Sequence, residues 1–375
     1  MTGSGVQGWC PGALRPMESG DGWVVRIRPR GGRLAQAQAR GIAAAARAHG
    51  NGQIDMTGRA NLQLRGVTPA RHAALIADLR ALDLIDTDVA TETRRNILVT
   101  PFADPQADRL AADLERALAG SGLTLPAKFG FAIDPGPHRV LAEDPADIRI
   151  ERGADDGLIL RAEGMASGTR LRRADQAVAL AAWFLDRGGA PGGRGRMAGL
   201  VARGIRPPAA DLAPVAAMPP CAPGPCAGGF LAAVEFGRME SDLLEGLATL
   251  GPLRTTPWRM LLVEGVRRPP ALPGLILAPG DPGLRLRACP GAPACARAHA
   301  PTRDLARDLA RTLAGRLGRD AILHVSGCAK GCGWPHRADV TLTATATGFD
   351  LIRDGRAGDP PRLRDLPLSR LPEVL

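Results

Sequence analysis

Four of the seven cysteines stand in two pairs toward the end of the chain: Cys289 and Cys295, spaced C-x5-C, and Cys328 and Cys332, spaced C-x3-C, with 32 residues between the pairs. Proline and glycine flank both, in Cys289-Pro-Gly-Ala-Pro-Ala-Cys295 and Ser326-Gly-Cys328-Ala-Lys-Gly-Cys332-Gly, so the backbone can turn thiolates and amides toward a common centre. Four thiolates so placed suit a [4Fe-4S] cluster. Structural zinc also takes four thiolates, but its knuckles usually run from C-x2-C to C-x4-C, and the x5 spacing fits them poorly. Disulfides would need an export route, and Met1 to Cys10 has neither the basic nor the apolar region of a signal peptide. A cytoplasmic protein with reduced thiols is expected.

The other reactive side chains offer less. Six histidines, His49, His72, His138, His299, His324 and His336, form no H-E-x-x-H or other ligand pair, although His299 and His336 lie beside the cysteine pairs. Cys221 and Cys226 belong to a Pro/Gly-rich stretch that makes a poor metal cage, and Cys10 stands alone. The net charge is +10, with Lys128 and Lys330 the only lysines among 48 basic residues. Nucleic-acid readers cluster their charge and add stacking aromatics. Here aromatics are 3% and the arginines are spread along the chain, which favours a carboxylate-rich small molecule over nucleic acid. No apolar run is long enough to span a bilayer, so no membrane partner is expected.

The elements that must position these groups come from a chain of 375 residues, enough for two or three domains. After a loop over residues 1–22, the pattern predicts a strand at Val24–Ile27, a helix from Leu34 to His49 and a strand at Ile54–Met56. The match to G-x-G-x-x-G at residues 3–8 follows no strand and opens no helix. The chain then repeats. A shift of 199 residues lays Ile54, Thr57, Leu62, Gly66 and Val67 over Leu253, Thr256, Leu261, Gly265 and Val266, and a shift near 195 lays the helix Asp108–Gly120 over Asp304–Gly315. The strand pairs starting at Asp147 and Leu158 recur at Asp339 and Phe349. Such offsets imply duplication and a pseudo-twofold axis, with a ligand site between the copies. The junction, 188–229, reads as a Pro/Gly-rich linker, and Gly193-Arg-Gly195-Arg within it lacks the strand a nicotinamide site needs.

The cysteine spacing resembles that of the sulfite and nitrite reductase superfamily, in which the last cysteine also bridges the cluster to a sirohaem iron. Within it the chain is most similar to the precorrin-3B synthase family. The shared features are Cys10-Pro-Gly, Pro16-Met17, Ser19-Gly-Asp-Gly22, the run from Arg59 to Gly66, Pro126-Ala-Lys-Phe-Gly-Phe131 and Thr256-Pro-Trp-Arg259. The resemblance implies a duplicated α+β fold. Its parts would be a ferredoxin-like half at 1–90, a reductase-like domain at 91–187, the linker, a second ferredoxin-like half at 230–283 and the cluster domain at 284–375. It implies O2-dependent hydroxylation of precorrin-3A at C20 with lactone formation, as in aerobic cobalamin synthesis. It also implies a mononuclear non-haem iron, for which no facial triad is visible in the sequence, and NADH-derived electrons delivered through a separate reductase or ferredoxin. The tetrapyrrole's carboxylates would be held by Arg59, Arg65, Arg94, Arg95 and Lys128. In the reductases such cations occur in T-x-R, R-N and K-x-K contexts. Thr57-Gly-Arg59 and Arg95-Asn96 resemble the first two, while Gly130 stands where the third context has its second lysine. A sirohaem-dependent sulfite or nitrite reductase is the alternative. A simple iron–sulfur carrier would be smaller and would not need these arginines.

Overall fold

The computed structural model describes residues 10–374 apart from 103, 209–210, 220, 313–317 and 319. The glycine motif at 3–8 and the end of the second repeated helix lie outside the described residues. Apolar residues two apart turn one strand face inward, as Val25 and Ile27, Ile54 and Met56, and Leu62 and Leu64 do here. They form sheet I, ordered Met17–Ser19, Gly22–Ile27, Leu62–Val67, Gln53–Met56, Arg238–Glu240. Sheet III repeats it with Gly224–Cys226, Gly229–Val234, Met260–Glu264, Leu253–Thr255 and Arg33–Leu34. Each sheet takes its last strand from the other copy. Arg33–Leu34 leaves the first half to pair with Leu253–Thr255, and Arg238–Glu240 leaves the second to pair with Gln53–Met56.

This exchange fuses the two ferredoxin-like halves around one apolar core that includes Val25, Leu64, Val234, Leu247 and Val263. Helix Gln36–His49 buries Ala39, Ile42, Ala43 and Ala46, a helical spacing whose small side chains let helix Ser241–Leu250 approach closely.

Sheets II and IV repeat each other equally well. Sheet II holds Ile97–Val99, Phe131–Asp134 and Ile148–Arg152 in parallel, then Leu158–Ala162 and Thr169–Arg170 antiparallel. Sheet IV holds Leu286–Ala288, Leu323–Ser326 and Ala338–Ala344 in parallel, then Phe349–Gly355 and Leu363–Leu366 antiparallel. Helix Pro105–Gly120, capped by the Asp104 side chain with Pro105 in its first turn, covers sheet II through Ala107, Ala111, Leu114 and Leu118. Helix Arg303–Thr312 does the same for sheet IV through Ala306 and Leu309.

The copies are stitched crosswise by ion pairs at repeat-related positions whose charges are reversed. Arg303, from the second copy, donates to Asp55 of the first at 2.9 Å. Arg254, from the second copy, donates to Asp108 of the first at 2.7 and 2.8 Å. Asp55 and Arg254 are 199 residues apart and Asp108 and Arg303 are 195 apart, the two offsets of the repeat. The inversion extends one residue further, because Arg65 donates to Asp55 while its counterpart Glu264 accepts from Arg254.

Two stretches depart from the expected loop and linker. Met17–Ser19 forms the edge of sheet I, since the turn at 19–22 lets it fold back on Gly22–Ile27. The stretch 188–229 carries the helix Met197–Ala202, bridges to sheet II at Leu212, Pro214 and Ala217, and ends as an edge strand of sheet III. Its backbone groups find sheet-edge partners in both copies, which holds the connection against them. Among the described residues no helix is long and apolar enough to cross a membrane.

Candidate cluster and ligand site

Both cysteine pairs lie at the carboxyl ends of adjacent parallel strands of sheet IV, the end where ligands of such sheets gather. Cys289 follows Leu286–Ala288, and Cys328 follows Leu323–Ser326. The two loops nest. The amide of Gly327 donates to Cys289 Sγ at 3.3 Å, and the hydroxyl of Thr302 donates to the Cys289 carbonyl at 2.6 Å. A Cβ on Gly327 would stand 2.6 Å from Ala298 Cβ and 3.4 Å from Cys289 Sγ, so only glycine lets the loops approach this closely.

Cys289 is buried, Cys295 and Cys328 are half-buried, and Cys332 is exposed. Desolvation by the surrounding chain raises the pKa of the Cys332 thiol, Lys330 opposes it, and Cys289, Cys328 and Cys295 add to it. All four sulfurs therefore act on one small region. Among the described residues, however, no three His, Cys, Asp or Glu side chains are close enough to hold a single ion. The order of the two loops along sheet IV, not a preformed single-ion cage, is what the cysteine pairs share. By the same test, a mononuclear iron finds no protein ligand set among the described residues. The backbone amide of His299 donates to Gly327 O at 2.9 Å, and His336 packs on Trp334.

The expected cations divide into two groups. Arg59 sits on a turn organised by Thr57, whose hydroxyl accepts from the amides of Arg59 at 3.3 Å and Asn61 at 3.2 Å. Thr256 builds the same turn in the second copy, accepting from Trp258 and Met260, and Ala60 and Arg259 share its left-handed backbone with φ of 54° and 62°. The Arg59 guanidinium donates to the Lys128 carbonyl at 2.9 Å, and the Lys128 side chain is exposed beside it. A Cβ at Gly130 would lie 2.8 Å from Asn96 Nδ2 and 3.0 Å from an Arg59 nitrogen. The guanidinium thus takes up space that a residue larger than glycine at 130 would need.

Arg65, Arg94 and Arg95, expected to hold ligand carboxylates, are instead committed to internal partners. Arg65 grips Asp21 with two bonds of 2.7 Å, reaches Asp55 at 3.3 Å and donates to Ala294 O at 2.8 Å, which makes it a strut between sheet I and the first cysteine loop. Ser19 supports the same carbonyl at 2.7 Å. Arg94 is buried against Leu123 O and the Thr91 hydroxyl. Arg95 holds Asp86 with both arms, at 2.9 to 3.1 Å, and donates to Arg28 O. These carboxylates lie elsewhere in the sequence, so spacing gave no sign of them.

Two further cations replace the lost ones. Arg26, on strand Gly22–Ile27, donates to the neutral Gln63 amide oxygen at 2.7 and 3.2 Å. Arg196, in the stretch read as a linker, is held by Asp147 at 2.8 and 3.0 Å. Burial, then Arg28 and Arg59, push Arg26 down to about 10 against the opposing effect of Cys10. Arg59 is lowered by burial, then by Arg196. Among the described residues neither has a carboxylate within ion-pair distance. The sequence signal for Arg26 was its alternation with Arg28, while its place opposite Gln63 came only with folding. Trp258, the counterpart of Arg59, reaches from the second copy to donate to Asp144 at 3.0 Å, beside a cavity of about 320 Å³ lined by Asp147 and Arg196. The cavity's other charged lining residues are Glu143, Asp144, Arg149 and Glu163, all of the first copy, and Trp258 is the contact that the second copy makes to this rim.

The chain is similar to known proteins over nearly its whole length. The nitrite/sulfite reductase ferredoxin-like half domain matches residues 15–82. A precorrin-3B synthase from Sinorhizobium sp is 28% identical, with 95% of this chain and 84% of the relative covered. A ferredoxin–nitrite reductase from Leptolyngbya laminosa is 24% identical over 93% of this chain and 83% of its own. Among solved structures, the NirA protein of Mycobacterium tuberculosis shares the fold with a TM-score of 0.69 at 20% identity, covering 94% of this chain and 79% of that one.

Proposed function

We propose, from the premise that the chain belongs to the nitrite and sulfite reductase superfamily, that it is a precorrin-3B synthase that hydroxylates precorrin-3A at C20 and closes a lactone in aerobic cobalamin synthesis. The observation that carries the reading is the pair Arg26 and Arg59: half-buried cations that, among the described residues, have a neutral amide oxygen and a backbone carbonyl rather than a carboxylate as partners. A guanidinium binds a carboxylate with two parallel hydrogen bonds, so a ring bearing many carboxylates supplies the missing counter-charges. Lys128 adds a third contact at the exposed rim, and the three together fix which edge of the ring faces the reaction, the orientation part of catalysis.

A [4Fe-4S] cluster on Cys289, Cys295, Cys328 and Cys332, when bound, supplies electrons singly. The Gly327 amide aimed at Cys289 Sγ favours added negative charge on that sulfur. Hydroxylation consumes O2, two electrons and two protons, placing one oxygen in the ring and one in water. The electrons are NADH-derived in this reading and arrive through a separate reductase or ferredoxin, in the cytoplasm. No step is assigned to a mononuclear iron, for which the described residues offer no ligand set.

The reductase alternative is less well supported. Arg95, in the R-N context, is neutralised by Asp86, and Gly130 replaces a lysine, so the site has fewer free cations for a small inorganic anion. Anaerobically purified holoprotein distinguishes the two. Iron and acid-labile sulfide in equal amounts, no sirohaem bands, and uroporphyrinoid binding weakened tenfold or more in Arg26→Ala and Arg59→Ala are expected. Sirohaem absorption with turnover of sulfite or nitrite would overturn the reading.

A further inference from the structure

Sheet IV has two different faces. Leu323 and Val325 enter the apolar core on one side, so His324 and Ser326 of the same strand project to the other. That second face is polar yet closed, with His324 and Thr341 0% exposed. Most of its groups are satisfied. Thr341 donates to Gly355 O and Thr343 to Ala357 O, both at 2.9 Å, and Ser326 donates to Cys328 O at 2.7 Å.

His324 is the exception. Neither of its ring nitrogens has a partner, nor does Nε of Arg287, its neighbour in register on the adjacent strand. The roof over this row is the C-x3-C loop. His324 Cε1 lies 4.0 Å from where a Cβ on Gly331 would stand, and the Trp334 ring covers Arg287 at 4.4 Å. Buried polar atoms are almost always paired, with water where protein offers nothing. A cavity of about 610 Å³, lined by Arg287 with Asp281, Asp320 and Ile322, opens at the same sheet edge beside this row.

We infer that His324 is the proton acceptor coupled to reduction of the cluster: when a one-electron donor reduces the cluster in the loop above, the imidazole takes one proton from cavity water. The inference rests on the cluster reading of the four cysteines. One electron enters the cluster, one proton enters His324, no heavy-atom bond changes, and the charge of the layer stays constant. The groups facing this layer are Arg287 from the neighbouring strand, Lys330 and Cys332 in the roof, His336 beyond Trp334, and Arg356 and Asp359 flanking Ala357, whose Cβ is 3.2 Å from the same Gly331 position. Before reduction, burial and then the charge of Arg287 push His324 down to about 4, so it is neutral. An electron added above supplies the opposing charge that favours the imidazolium.

The test is an EPR-monitored redox titration of full-length holoprotein from pH 5 to 8, with dithionite as reductant, on the wild type, His324→Gln and His324→Leu. The wild-type potential should fall as pH rises through the lower part of this range, by up to about 59 mV per unit, the one-electron equivalent of a tenfold change. Variants that keep the cluster signal should show a flat profile. A flat wild-type profile, or a slope surviving in either variant, overturns the inference. Should neither variant keep its cluster, ¹⁵N-histidine NMR of the wild type decides, by the presence or absence of imidazole protonation on reduction. A wild type with no reducible cluster signal would instead sink the cluster reading itself.

Discussion

Arg59 and Arg95 carry the same charge in opposite circumstances. Arg95 and Asp86 are both buried and joined by three hydrogen bonds, so removing the guanidinium leaves the buried carboxylate only the more distant Arg30, at 3.6 Å. Arg95→Ala should therefore destabilise the protein by about 3 to 5 kcal/mol, read by denaturant unfolding. Arg59 answers no carboxylate, so Arg59→Ala should leave the unfolding midpoint nearly unchanged while weakening tetrapyrrole binding. Equal loss of stability in both variants would contradict this division. The arginines could be found in the sequence, but Asp21 and Asp86, which decide the roles of Arg65 and Arg95, are brought in by folding. The two cysteine loops were legible because each pair is local in sequence and follows a strand of its own. Asp134 adds a pH effect. It is buried with Oδ1 unpartnered, and burial pushes it up to about 6. A carboxyl raised in the folded state favours folding below its unfolded pKa and loses that contribution as pH rises through the folded value. Asp134→Asn should thus stabilise the protein at pH 7.5 by about 1 to 3 kcal/mol, with the gain fading toward pH 4.

Elements repeat more faithfully than side chains. The strand order, the parallel and antiparallel pairings and the Thr-organised turns recur, which is why offsets of 199 and 195 were visible in apolar and glycine positions. The crosswise ion pairs were not visible, because each copy carries the opposite sign at the matching site. The two pairs also differ in depth: Asp55 and Arg303 are each 9% exposed, whereas Asp108 is 41% exposed opposite Arg254. A double-mutant cycle on Asp55 and Arg303 should give a coupling of about 1 to 3 kcal/mol. The same cycle on Asp108 and Arg254 should give under about 1 kcal/mol. The reverse order would show that solvent exposure does not set the strength of these contacts.

On the scale of the whole molecule, strand exchange makes the two ferredoxin-like halves one body, against which sheets II and IV are held. The first copy presents cations, and the second carries the thiols. Ser19 and Arg65 from the first copy brace the first cysteine loop, while Trp258 from the second reaches Asp144 of the first. A site shared in this way needs both copies, so a chain cut between them should lose ligand binding and cluster together. The most direct measurement of the central claim is mass spectrometry of precorrin-3A after incubation with the reduced, anaerobically isolated holoprotein and ¹⁸O-labelled O2. The account predicts a product that has gained labelled oxygen. Unchanged tetrapyrrole beside active reduction of sulfite or nitrite would contradict it.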